Sequence, residues 1–489
     1  MVGAGLVLGS AACEGPTVGA PAAPGAAVAS STTVTTVTTG TGTTAATSGP
    51  PTSGPPTASL TPVPDPADGG DGASDLVRDL AAGVQATVVG TVPAATAPWL
   101  ALLQPGAVRR RAEVVVDRMR SMGVGDLSLR SVVPVPTAAG TTGVDHDTST
   151  VRASFTYRFT GIDVADRTFT LDLTVRRPAT PSPSATTGVS GPGQAPGTTV
   201  TTVTAHARSS GEVVGWSPSD RPQPWDLDGV VATRTGGSLV VAPAGPTLTD
   251  LAGRVAPALG AVSSVWRDSA PAVVVLPARD GDAARLLGRG GLETSADAQG
   301  GPLRDVAAVT DGPSNPGVGA GADRVVVVPS VWAGLTSAGR DVVLTHELTH
   351  VVVRRTTTAS VPLWLSEGFA ELVAYRRAGL PDRVGVTPAL TGDDGGRVTA
   401  LPADRDFDPS SGDLPKAYAR SLAVVRAAAA GPRGLDGVVR LYRAVAGGHD
   451  LDAALVSELS TTPEQLVTDA DARLRALAGP ADPASTPSR

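Results

Sequence analysis

Cysteine occurs once in this 489-residue chain, at Cys13, so no disulfide framework can staple it internally and its stability must come from core burial. Aromatic residues are only 3% of the chain, so that core must be built largely from aliphatic side chains. Lysine, isoleucine and asparagine occur once each, at Lys416, Ile162 and Asn315. All three have A/T-rich codons, so their scarcity is that of a G+C-rich genome, and the preference for arginine over lysine carries no functional signal. Positive charge does not prevail: 39 Lys and Arg against 46 Asp and Glu leave a formal charge of −7, which argues against nucleic acid as a partner. Beyond a short apolar start, no run is long and uninterrupted enough to span a bilayer. Histidine is also scarce, five in all.

The apolar start, Met1 to Ala12, ends in Ser10-Ala11-Ala12-Cys13 and is followed by a polar tract. It resembles the end of a bacterial lipoprotein signal, with two departures: Ser10 stands where leucine is usual, and no Lys or Arg precedes the apolar run. An ordinary secretory signal is the alternative; either implies export. A lipid on Cys13 would place the chain on the extracellular face of the cell membrane. Residues 13–74 are rich in Thr, Pro, Gly and Ser and nearly uncharged. They cannot bury enough apolar surface to offset ordering entropy, so a disordered stalk is expected, with an end-to-end distance of roughly 45 Å. A short disordered tail is expected at 480–489.

From 75 to 225 the pattern is α+β. Helices are expected over Asp75 to Val89 and Ala107 to Met122, where apolar residues recur at helical spacing. Strands are expected at Leu127 to Val135, Val151 to Phe159, Thr168 to Arg176, Val200 to Ala207 and Val213 to Trp216. In the third of these, Phe169, Leu171, Leu173 and Val175 all fall on one side, as a half-buried antiparallel strand requires. A Pro/Ser/Gly insertion, Pro178 to Thr199, should loop out. Helices followed by a curved antiparallel sheet resemble the folds of the nuclear-transport-factor-2 (NTF2) type, which implies a cone that could hold an apolar ligand. His146, His206 and His449 have no identifiable partners.

Residues 226–479 read as a mixed α/β region. Two short strands lie in Asp226 to Val241, a helix over Thr249 to Leu259, and nearly all-apolar strands at Ala272 to Leu276, Asp305 to Val309 and Arg324 to Val328. A helix at about Gly281 to Leu287 stands between the first two of these. Arg324 to Val328 is expected to form the edge of a cleft, where an extended substrate could add as a strand. Asp297 to Asp323 is rich in Gly and Pro.

These strands feed into His346-Glu347-Leu348-Thr349-His350, followed seventeen residues later by Glu367 in Trp364-Leu365-Ser366-Glu367-Gly368-Phe369-Ala370-Glu371. Residues four apart share a helix face, so His346 and His350 can present two imidazoles to one metal ion. Glu347, one step round, can reach a metal-activated water without being a ligand. The first helix should run from Ser337 to Arg354, burying Val343, Leu344, Leu348, Val351 and Val352. Pro362 suits the first turn of the next helix. Glu371 lies one turn beyond Glu367, either accepting the free ring N–H of a ligating histidine or standing as a surface carboxylate.

HELTH followed by WLSEGFAE resembles the gluzincin metallopeptidases, specifically the peptidase MA-like domains and more distantly the M1 aminopeptidases. The close resemblance spans Arg340 to Ala378, and a looser one runs through Ala417 to Val425 to the C-terminal helices near Leu477. It implies a zincin-type catalytic domain in which His346, His350 and Glu367 bind one zinc ion and Glu347 is the general base. It further implies an oxyanion-stabilising tyrosine at Tyr418, with Tyr375 in reserve, and a peptide or protein substrate. No G-x-x-H continuation follows His350, which excludes the metzincins. No G-x-M-E-N-type element precedes the zinc helix, so the resemblance does not extend to aminopeptidase activity. A reading from another class is an envelope binding module whose metal site is structural or has lost catalysis.

Overall fold

A computed structural model describes residues 72–90, 93–136, 147–177, 211–219, 221–289, 306–312, 321–391, 396–408 and 414–478. The N-terminal segment with Cys13, residues 13–71 of the stalk, the 178–199 insertion, the strand expected at 200–207, His146, His206, most of 297–323 and the tail all lie outside these residues. The last three residues assigned to the stalk, 72–74, are instead the first of a helix that buries Ala73 and Ser74. The described residues belong to one compact unit. They form a mixed α and β structure with two sheets. Among them, no helix is long and apolar enough to cross a membrane.

The N-terminal layer begins with α1 (Gly72–Val89) and α2 (Ala107–Met122), which pack on a four-stranded antiparallel meander. Its strands are β1 (Val124–Pro134), β2 (Thr148–Phe159), β3 (Arg167–Arg176) and β4 (Glu212–Pro218). On β3, Leu171, Leu173 and Val175 are buried as their alternation requires, and Phe169 stacks on Phe155 of β2. β1 starts three residues earlier than its pattern indicates, because two irregularities in its pairing with β2 interrupt the two-residue period.

The second sheet contains β5 (Val231–Thr235), β6 (Ser238–Ala242), β7 (Val273–Val275), β8 (Ala308–Asp311) and β9 (Arg324–Val327), in the order β5-β6-β7-β9-β8. β6, β7 and β9 are parallel, and β5 and β8 are antiparallel edges. The β5–β6 turn is Gly236-Gly237 with φ of 53° and 82°, a left-handed pair that residues with a Cβ adopt only at a cost. Around the sheet lie α3 (Pro246–Trp266), α4 (Asp280–Leu286), α5 (Pro329–Gly334), α6 (Ser337–Arg354) and α7 (Leu363–Ala378). The chain continues through α8 (Asp382–Leu390), α9 (Leu414–Ala430), α10 (Gly434–Ala446), α11 (Leu451–Ala454) and α12 (Pro463–Ala478). α3 runs past the expected end at Leu259, through Pro257, because Val262, Val265 and Trp266 carry its apolar face onward into the core.

The sheet is covered on both sides, which explains why β6, β7, β8 and β9 are buried throughout and carry apolar residues on both faces. Val240, Val274, Val325 and Val327 join one core with α3, α6, α7 and α9. Leu239, Val241, Val273, Val275 and Val326 join the core built by α1, α2 and the first sheet. Each fully buried valine adds about 1.5–3 kcal/mol of transfer free energy. One expectation is overturned here. Residues 324–328 do not form an edge, because β9 is enclosed between β7 and β8, and the edge strand is β8. Apolar content cannot rank two strands that are both buried on both faces, and the order follows from the antiparallel return of β8.

Candidate metal centre

α6 spans the predicted residues. Thr336 caps it by accepting the Gly339 N–H at 3.1 Å, and Val343, Leu344, Leu348, Val351 and Val352 fill the core as expected. The helix is buried all round from Val342 to Val353, and His346, Glu347 and His350 are each no more than 1% exposed. α7 starts at Leu363, with Pro362 in the capping position, and turns Glu367 and Glu371 toward α6 while Leu365 and Phe369 enter the core. Gly368 is required by close approach. A Cβ there would lie 2.6 Å from the Ser421 carbonyl oxygen, so its absence lets α9 pack directly behind Glu367.

Three ligand atoms from two helices converge. His346 Nε2 and His350 Nε2 are 3.0 Å apart, and Glu367 Oε2 lies 3.1 Å from the first and 3.3 Å from the second. Donors about 2.0–2.1 Å from a common tetrahedral ion stand about 3.3–3.4 Å from one another, so this set fits zinc. It is the one group of His, Cys, Asp and Glu with metal-ligand spacing among the described residues.

The electrostatics agree. Glu347, Glu367 and Glu371 are all buried, and among the described residues no lysine or arginine hydrogen-bonds any of them. Burial opposes charge on His346, yet the Glu367 hydrogen bond and the nearby carboxylates push its pKa up to about 9. Burial would raise Glu367, but the imidazoles of His350 and His346 hold it well below the usual carboxylate range. Burial, with the neighbouring carboxylates, pushes Glu371 up to about 7 despite His346. Glu371 also feels the Arg426 guanidinium, and a divalent cation held here would further relieve the repulsion among the buried carboxylates.

The other expected residues fall at graded distances. Glu371 Oε1 approaches His346 Nδ1 at 3.6 Å; it faces the intended ring nitrogen but lies beyond hydrogen-bond distance, and Nδ1 has no other partner. Glu347 Oε2 accepts the Thr310 hydroxyl at 2.7 Å, whereas Oε1 is buried without a partner. Tyr418, on α9, lies with its ring centre 6.1 Å from that of His346 and packs edge-on against Phe407. Tyr375 lies under Arg426, and burial raises its hydroxyl pKa further above the ordinary tyrosine value. His449 sits in an exposed turn, its Nδ1 against the Ala444 carbonyl.

Two neighbours carry no signal in the sequence. Thr310 lies 37 residues before Glu347, on a strand whose order in the sheet the pattern does not reveal. Tyr442, on α10, places its hydroxyl 3.4 Å from Ser366 beside Glu367 and is held among Trp266 and Phe369. Compared with known proteins, the chain matches no family model, no curated protein and no solved structure.

Proposed function

We propose that the protein is a zinc-dependent metallopeptidase in which His346, His350 and Glu367 hold the ion and Glu347 is the general base. The observation that carries this reading is the convergence of the three ligand atoms within 3.0–3.3 Å beside a glutamate whose Oε1 has no partner. His346, His350 and Glu367 would hold the zinc ion, which would supply Lewis acidity that makes water easier to deprotonate near neutral pH. Glu347 receives the proton of the attacking water at Oε1 and returns it to the leaving amine, so the carboxylate is regenerated in each turnover. Thr310 occupies Oε2 and leaves Oε1 for this transfer. On this reading the layer over 72–225 is the NTF2-like domain, residues 226–478 are the zincin-type domain, and peptides or proteins are the substrates.

Tyr418 is the proposed donor to the oxyanion. Its replacement by phenylalanine should lower kcat by about 10²–10³ while zinc content and KM stay near wild type, measured by steady-state kinetics. An unchanged kcat would remove Tyr418 from the machinery. The reading as a hydrolase is tested by stripping the metal. Cleavage of a peptide library should cease with chelator and return on adding zinc, and cleavage that persists in chelator contradicts it. The burial of all four side chains favours a second reading, a structural metal site in a binding module. A zinc-loaded protein that cleaves nothing would support that one.

We also propose export with a lipid on Cys13, which supplies membrane affinity to a chain whose described helices cannot cross a bilayer. Cys13→Ala should move the protein from the membrane fraction to the soluble or secreted one. A membrane fraction that does not change would show the cysteine to be incidental.

A further inference from the structure

Glu347 is gripped from outside its own helix. The Thr310 hydroxyl stands 2.7 Å from Glu347 Oε2 and 3.1 Å from the Glu347 carbonyl oxygen, and Thr310 is fully buried. Thr310 belongs to β8, an edge strand that pairs only with β9 among the described strands. Such a strand has one row of ladder bonds to hold its position and needs another anchor if it is to place a side chain accurately.

The anchor is the next residue. Successive strand residues point to opposite faces, so while Ala308 and Thr310 face α6, Val309 and Asp311 face the N-terminal layer. Asp311 is 1% exposed and meets three guanidinium groups. These are Arg167 of β3 at 3.0 Å, Arg221, just beyond β4, at 3.1 Å, and Arg324 of β9 at 3.1 Å. Burial would raise the Asp311 carboxyl, but Arg324, Arg167 and Arg221 bring it down to about 2. Arg324 also donates to Gln223 at 3.1 Å, and Arg167 to the Ala322 carbonyl. The β2–β3 turn adds a second tie. Val164 N–H donates to the Gly321 carbonyl at 3.0 Å, and Arg355 at the end of α6 donates to the Ile162 carbonyl at 2.8 Å.

We propose that Thr310 is a positioning residue for Glu347 and that Asp311, on the other face of the same strand, lets the N-terminal layer set that position. The proposal rests on the reading of Glu347 as general base. The layer is then part of the catalytic apparatus, although among the described residues none of it hydrogen-bonds His346, His350 or Glu367. A carboxylate on three freely rotating bonds loses rate when it is displaced by an ångström, by on the order of 10²-fold.

The test uses the zinc-loaded full chain with Thr310→Val, Thr310→Ala, Thr310→Ser, Asp311→Asn and Arg221→Ala. Thr310→Val and Thr310→Ala should lower kcat by about 10–100-fold with KM and zinc content unchanged, and Thr310→Ser should recover most of the loss. Asp311→Asn should resemble Thr310→Val. Should that variant fold poorly, Arg221→Ala, which removes one link without stranding a buried charge, should show a smaller loss in the same direction. Crystal structures of the zinc-loaded variants supply a readout that needs no turnover: the Glu347 carboxylate should be displaced or split between rotamers in Thr310→Val and single in Thr310→Ser. A Glu347 side chain unmoved in Thr310→Val, or a Ser variant no better than Val, overturns the proposal. A wild type that binds zinc and cleaves nothing defeats the hydrolase reading instead, and the crystallographic comparison still decides the role of Thr310.

Discussion

Replacing His350 or Glu367 by alanine is expected to reduce bound zinc from about one ion per chain to a small fraction of that. The loss should exceed the 10–100-fold weakening typical of removing an outer partner such as Glu371, because a direct donor is taken from a set of three. His350→Ala takes away one imidazole, and Glu367→Ala takes away the only carboxylate among the three converging atoms. Metal content after dialysis against a zinc buffer, read by elemental analysis, checks this. A parallel readout is thermal. Zinc at 1,000 times its Kd stabilises the folded state by about 4 kcal/mol, so chelation should lower the Tm of wild type and leave either variant nearly unmoved. Retention of a full zinc ion by both variants would disprove the ligand assignment.

Glu347→Gln is expected to separate binding from chemistry. Glutamine keeps the volume of the side chain and an oxygen that can accept the Thr310 hydroxyl bond, so packing around α6 and the ligand set should survive. An amide has no basic oxygen for the proton of the attacking water. The loss should therefore fall on kcat, by about 10²–10⁴, with zinc content and Tm close to wild type. A fall in zinc content of the same size as in His350→Ala would instead make Glu347 part of the ligand set.

The convergence of His346, His350 and Glu367 was legible because the proposed chemistry constrains these residues locally. His346 and His350 share a helix face by spacing alone, and the apolar residues Val343, Leu344, Leu348 and Val351 mark the body of α6; the cap at Thr336 emerges only in the structure. Glu367 and the small Gly368 beside it sit on the next helix in chain order, so their approach needs only one turn between neighbours. Nothing comparable marks Thr310. Its partner is distant in sequence, and β7, β8 and β9 bury apolar residues on both faces, so periodicity tells neither which face a residue takes nor which strand lies outermost. The Asp311 cluster is hidden for the same reason. Arg167, Arg221 and Arg324 are three among many arginines in a lysine-poor chain, and only the tertiary fold brings them to one carboxylate. Glu371 shows the limit of motif reading from the other side: spacing brings it to the correct ring nitrogen, yet the two groups stop at 3.6 Å.

The most direct test of zinc-dependent hydrolysis is cleavage of a mixed peptide library by wild type and Glu347→Gln at matched zinc content, read by mass spectrometry beside a chelated control. Wild type is expected to give cleavage products, the variant a rate lower by about 10²–10⁴, and the control none. Equal cleavage by wild type and Glu347→Gln, both fully zinc-loaded, would contradict it.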